Sequence, residues 1–186
     1  MKMRLLALAA GALLASTLSV QANEYRERAI AFVNKTVSDA LKSPEVIAAI
    51  HAQNKKHANL TQDQIVALDK RWRAGDDGLI QATLNNKLSQ YLAGIVKKNG
   101  GAYSEIFVMD NKGLNVGQSA KTSDYWQGDE AKWKKTFLAG AGSTHVSDVE
   151  EDESSQTFQI QVSLPIVDGG KPIGAITLGI DVEHLE

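Results

Sequence analysis

Residues 121–130, Lys121-Thr122-Ser123-Asp124-Tyr125-Trp126-Gln127-Gly128-Asp129-Glu130, form the densest mixture of aromatic and polar side chains in the chain. Small-molecule sites combine apolar or aromatic walls with a few convergent polar groups. Here Tyr125 and Trp126 each offer a ring together with a hydrogen-bond donor, and Lys121 offers a positive charge. A purely structural role, in which Tyr125 and Trp126 plug the end of a sheet, fits these residues equally well. A second set lies in residues 156–166, where the apolar Phe158, Ile160, Val162 and Leu164 alternate with the polar Gln159, Gln161 and Ser163. Alternate residues of a strand face opposite sides of its sheet. The apolar set is therefore expected against helices, and the polar set is either solvated or the floor of a ligand pocket.

The pocket is favoured by residues 119–142, which carry Tyr125, Trp126, Trp133 and Phe137 and so need a surface to lie against. Thr177, with Asp181, would extend the floor from the last strand. A buried anion needs positive charge or several donors, and Lys121 is the lysine nearest the aromatic pair, whereas Lys132, Lys134 and Lys135 read as solvated surface. The candidate ligand-binding set is Lys121, Asp124, Tyr125, Trp126, Gln159, Gln161 and Thr177.

Other chemistries find little support. The chain has no cysteine, which removes disulfides, thiolate metal sites and thiol nucleophiles. Its histidines, at 51, 57, 145 and 184, lack metal-ligand spacing, and His51 and His57 are read on a polar helix face. The acidic run Glu150-Glu151-Asp152-Glu153 lacks the spacing of a calcium loop and reads as a solvated hairpin tip. No phosphate loop, dinucleotide fingerprint or nucleophile elbow occurs. No catalytic residue, metal or cofactor is assigned, and an enzyme is not expected.

Positioning these residues requires helices first and strands later. Apolar and small residues at three- and four-residue spacing over 24–41 make a long one-faced helix. Ser43-Pro44-Glu45 starts another, and Thr61 with Gln64 is a capping-box candidate for a third reaching about Trp72. Residues 79–96 read as one more long helix, stopped by Asn99-Gly100-Gly101. Asp129 is expected to cap a helix on which Trp133 and Phe137 form an i, i+4 pair. Strands are expected over 103–109, 114–118, 145–149, 156–166 and 172–180. The class is α+β, a sheet of about five antiparallel strands with helices on one face.

The 186 residues suit one domain, with 43% apolar residues to build a core. Lys2 and Arg4, an apolar-rich run over 5–18 and small residues at Val20 and Ala22 describe a secretory signal peptide over 1–22, leaving 23–186 as the domain. The alternative is an uncleaved membrane anchor, for which the apolar run is short. The formal net charge of -2 offers no basic field for nucleic acid. It is also uneven, with a basic half over 23–100 and an acidic one over 101–186.

Three segments resemble a Cache domain, the PAS-like extracellular sensor module of bacterial receptors, here as a stand-alone single module. They are Ile106-Phe107-Val108-Met109-Asp110-Asn111-Lys112-Gly113, Ser123-Asp124-Tyr125-Trp126-Gln127-Gly128-Asp129-Glu130 and Ile173-Gly174-Ala175-Ile176-Thr177-Leu178-Gly179-Ile180-Asp181. The resemblance covers about residues 24–184. It implies a PAS-like central sheet, a long N-terminal helix that can pair with a second copy, and a pocket for small carboxylates or amino acids. The full amino-acid motif is missing and no arginine follows Arg73, which favours a small organic acid. The expected function is a periplasmic sensor module that binds a short carboxylate and acts through a membrane-bound receptor or kinase. The alternative is an interaction protein whose pocket is occluded.

Overall fold

The computed structural model describes residues 7–152 and 157–185. The first helix, α1 (Ala7–Leu41), contains the expected helix over 24–41 as its C-terminal part. Its stripe of Ala29, Val33, Val37 and Ala40 is buried against the sheet. Ser43 and Pro44 open α2 (Pro44–Lys56) as expected, although the Ser43 side chain makes no capping bond. The Thr61 and Gln64 side chains cap reciprocally at the start of α3 (Gln62–Arg73). Among the described residues, no helix is long and apolar enough to cross a membrane.

The single helix expected over 79–96 is two, α4 (Asp77–Leu84) and α5 (Lys87–Lys98). Asn86 divides them. Its Oδ1 accepts from the Ser89 backbone N–H at 2.8 Å, while its Nδ2 donates to the Thr83 and Val116 carbonyls at 2.9 and 2.8 Å. A short amide side chain that satisfies the backbone in this way competes with helix continuation. The apolar periodicity survives the break because both helices pack on the same protein body.

Five antiparallel strands follow: β1 (Tyr103–Met109), β2 (Asn115–Gln118), β3 (His145–Asp152), β4 (Thr157–Asp168) and β5 (Lys171–Asp181), in spatial order β2-β1-β5-β4-β3. The short helix α6 (Ala131–Lys134) lies between β2 and β3, with Glu130 rather than Asp129 at its N-cap position. Trp133 and Phe137 do stack, at 5.0 Å between centroids. The acidic run is not a hairpin tip over Glu150–Asp152, because these residues pair with Gln159, Phe158 and Thr157 as part of β3. Glu153 lies outside the described residues.

Ile160, Val162, Ile176, Leu178 and Ile180 meet α1, α2 and α5 on one face of the sheet. Full burial of each such side chain is worth ~1.5–3 kcal/mol. Leu164 is half-buried against this core, but Phe158 is 56% exposed, contrary to the alternation argument. The β4–β5 pairing begins at Gln159, so Phe158 lies past the end of β5 and has a strand neighbour, Glu151, on one side only. Its parity is right, but the layer it should pack on has ended.

Ile160→Ala should destabilise the protein by ~2–5 kcal/mol in urea unfolding, whereas Phe158→Ala should stay within about 0.5 kcal/mol. Equal costs at the two positions would contradict the boundary of the core placed between them.

Candidate functional site

The opposite face of the sheet carries the polar residues of β4, and a bulge in β1 adds to them. Tyr103 pairs with Ile180 and Glu105 with Gly179, so one extra residue is accommodated in β1. Tyr103 and Ile106 reach the helix-side core, while Ser104 and Glu105 both line the opposite face. There the Ser104 hydroxyl donates to Gln159 Oε1, and Gln161 Nε2 donates to Glu105 Oε1 at 2.8 Å. Gly179 makes room for this floor, since a Cβ at that position would lie 2.4 Å from both Gln159 Oε1 and Ser104 Oγ.

Above the floor is a cavity of about 730 Å³. Its walls bring Arg73 from the end of α3, Lys121, Thr122, Ser123 and Gln127 from the segment after β2, and Lys132 from α6. The Lys121 ammonium stands 5.9 Å from the Trp72 ring centroid and that of Lys132 stands 5.5 Å from the Phe107 centroid, both within cation–π range. Lys132 also pairs with Glu130 at 2.8 Å, and Arg73 with Asp69 and, at 3.5 Å, with Asp124. Three cations thus face a lining in which Glu105 is the one carboxylate among the described residues.

Lys121, Gln159 and Gln161 line this cavity, and Asp124 stands beside it through its pair with Arg73. Tyr125, Trp126 and Thr177 do not line it. Tyr125 stacks on Trp72 at 5.4 Å in a second core with Ile65 and Leu114, where burial pushes its hydroxyl pKa up to about 12. Trp126 joins the edge of that core and donates its indole N–H to the Lys112 carbonyl at 2.8 Å. Both rings therefore pack with the second core and not along the cavity. Thr177 is fully buried and shares a hydrogen bond with the Ser163 hydroxyl at 2.9 Å, farther along the same sheet face. Arg73 and Lys132 were not legible from sequence: Arg73 sits far from residues 121–130 in the chain, and Lys132 follows Glu130 on what reads as a charged helix surface.

The loop walls are held by two buried carboxylates. Asp110 follows β1 and is fully buried; its Oδ1 accepts from the Lys112 and Leu114 N–H groups at 2.8 and 2.9 Å. Its Oδ2 accepts from Gln53 Nε2 at 3.1 Å and from His57 Nδ1 at 2.9 Å, so His57 is a buried partner of the turn, not a residue of a polar face. Trp133 donates its indole N–H to the Asp110 carbonyl at 3.1 Å, which fixes α6. Gly113, at φ +82°, closes the turn against Gly128, whose Cα would lie 2.4 Å from a Cβ at 113. Asp69, also buried, accepts the Tyr125 and Trp126 N–H groups on Oδ1 at 3.0 and 3.1 Å. Among the described residues, no group of three or more His, Asp or Glu is placed to hold a metal.

Asp69→Ala should cost ~2–4 kcal/mol in thermal or urea unfolding, because it leaves two backbone N–H groups without their acceptor. The half-exposed Arg73 adds little to that figure. Asp69→Asn, which keeps an acceptor oxygen, should recover part of the loss; a cost below about 0.5 kcal/mol for the alanine variant would remove Asp69 as the anchor of this segment.

No family model and no curated protein matches the chain. Among solved structures, it is similar to the sensor domain of the V. cholerae histidine kinase DctB, at 16% identity and a TM-score of 0.49, over 94% of this chain and 58% of that one. It is also similar to the ligand-binding domain of the Campylobacter jejuni chemoreceptor Tlp3 in complex with 4-methylisoleucine, at 18% and 0.42, over 92% and 61%. The E. coli DcuS sensor domain aligns at 17% and 0.41, over 66% of this chain and 90% of that one. The chain spans about three-fifths of the length of the first two. By its own sheet order and its helix layer, the chain has an α+β fold built on a PAS-like antiparallel sheet.

Proposed function

We propose that this protein is a periplasmic ligand-binding sensor module that captures a small organic acid, a short carboxylate, and acts through a membrane-bound receptor or kinase. The observation that carries this reading is the convergence of Arg73, Lys121 and Lys132, from three separate elements, on one cavity with an amide-lined floor. Cations held beside a partly desolvated cavity attract an anion more strongly than the same charges in open water. Amides and hydroxyls at fixed positions then select its shape. The role is recognition and not catalysis. The alternative of an occluded pocket is less favoured, because a cavity of about 730 Å³ stands open above the polar face of the sheet. Export through a signal peptide cut after Ala22 and pairing of two copies through α1 belong to the same reading.

A ligand-shift unfolding screen with acetate, propionate and succinate should identify a binder. At a hundredfold excess over its Kd, such a ligand stabilises the folded protein by ~2.7 kcal/mol. Lys121→Ala and Arg73→Ala should each weaken binding about 10- to 150-fold, the equivalent of one charge-assisted hydrogen bond. Unchanged affinity in both variants, with the fold intact, would place the binding site elsewhere. The intact mass of protein recovered from the periplasm should correspond to a chain starting at Asn23; retention of residues 1–22 in the membrane fraction would support the anchored alternative.

A further inference from the structure

The helix layer carries a second concave surface, which shares no lining residue with the carboxylate cavity. Between α2 and the start of α5 lies a groove of about 330 Å³, lined by Ala49, Ala52, Leu88, Val116 and the side chains of Lys56 and Lys87. Two amides also reach it, but both are engaged inside the fold: Gln53 Nε2 donates to Asp110, and Asn86 Nδ2 to the Thr83 and Val116 carbonyls. Neither lysine has an ion-pair partner among the described residues. The groove therefore offers an occupant an apolar floor and two ammonium groups.

The far end of the sheet carries the converse. Phe158 and Val149 are 56% and 39% exposed, and with Glu151 they share one face of the β3–β4 pair, since Val149 stands opposite Ile160 and Glu151 opposite Phe158. Glu150, the residue between them in β3, is exposed on the other face. Apolar side chains left in water and rimmed by charge mark interaction surfaces. This one cannot reach the groove of its own chain. The groove belongs to the other end of the sheet, where His51 of α2 pairs with Asp168 and Asn54 donates to the Ile173 carbonyl, each at 2.8 Å. Phe158 and Asp168 are ten residues apart in β4, which is about 33 Å at the rise of an extended strand.

We infer that the two surfaces are partners between copies of this chain: Phe158 and Val149 of one molecule enter the α2–α5 groove of the next, with Glu150 and Glu151 beside Lys56 and Lys87. The sign of the charge selects this occupant. An acidic hairpin repels a second acidic hairpin and a lysine-rimmed groove repels a second groove, so neither surface fits itself, whereas hairpin and groove attract. Because the two lie at opposite ends of the sheet, the contact runs head to tail from copy to copy. The groove admits little more than these two side chains, and interfaces of small area belong to weak, transient association. Pairing through α1 is a separate contact, since it would use the same surface on both molecules.

The test is sedimentation velocity of the purified protein from micromolar to millimolar concentration. The mean mass should climb with concentration, and the climb should shrink severalfold when salt is raised from about 0.05 to 0.5 M, because the charge pairs are then screened. Phe158→Ser, at a side chain outside the core, should abolish it, as should Lys56→Glu combined with Lys87→Glu. Ala52→Arg, at an exposed position in the groove, should do the same and replaces the double reversal if that disturbs α2. An equimolar mixture of the Phe158→Ser protein and a groove variant should regain association that neither shows alone, because one keeps the groove and the other keeps the hairpin. Pairing through α1 is indifferent to all of these changes. A mean mass that stays constant over the whole range would overturn the inference, as would growth that survives either kind of variant, or a mixture no more associated than its components. Binding of octanoate that is lost in the lysine-reversed protein, with the mass constant throughout, would overturn it in favour of a small amphipathic anion in the groove.

Discussion

One buried carboxylate organises the molecule. A charge with no water around it is costly unless it is fully bonded, and Asp110 is bonded by two backbone N–H groups of its own turn, by Gln53 of α2 and by His57 at the C-cap of that helix. The turn cannot relax without exposing that charge, and α2 cannot slide along the sheet without giving up its two donors. Since the Asp110 carbonyl also receives the Trp133 indole and Gly113 packs against Gly128, the cavity wall inherits its position from the same residue. The sheet end, the helix layer and the loop wall are thus three bodies tied at a single point.

Strand alternation then gives the protein two working surfaces with one set of residues. Ile160 and Val162 hold the helices while Gln159 and Gln161, their immediate neighbours, line the cavity. In β1 the bulge breaks this economy locally and turns two successive side chains to the polar side. The apolar face is densely packed and ordinary in chemistry. The polar face departs from the usual solvated outer face of an antiparallel sheet because residues 119–142 close over it, anchored by Asp69 and Asp110.

The elements and their order were legible because helix and strand periods differ and because caps such as Thr61 with Gln64 leave local marks. The break at Asn86 is not legible in the sequence because it depends on Val116, thirty residues away, whose carbonyl steadies the side chain that interrupts the helix. Phe158 has the correct parity for the core, but parity carries no information about where the neighbouring strand stops. Of the residues that line the cavity, Gln159, Gln161 and Lys121 were readable from alternation and from proximity to aromatic residues. Arg73 was not, because only the fold carries the end of α3 to the mouth of the cavity. Tyr125 and Trp126 look like binding residues in sequence for the same reason that they make a good second core: each joins a large apolar ring to one polar atom that finds a partner.

The stacking of Tyr125 on Trp72 on one side, with Lys121 poised near the same indole, has a photophysical consequence. Trp72 is shielded from solvent, and its N–H is held by the Thr122 carbonyl at 2.8 Å, so its excited state senses a rigid surrounding and one nearby charge. An anion that draws the Lys121 ammonium away from the ring changes the electric field across the indole without changing its hydration. Trp72 is therefore an intrinsic fluorophore set beside the Lys121 charge, and under the proposed function its emission, seen above that of Trp126 and Trp133, should shift when an anion enters the cavity.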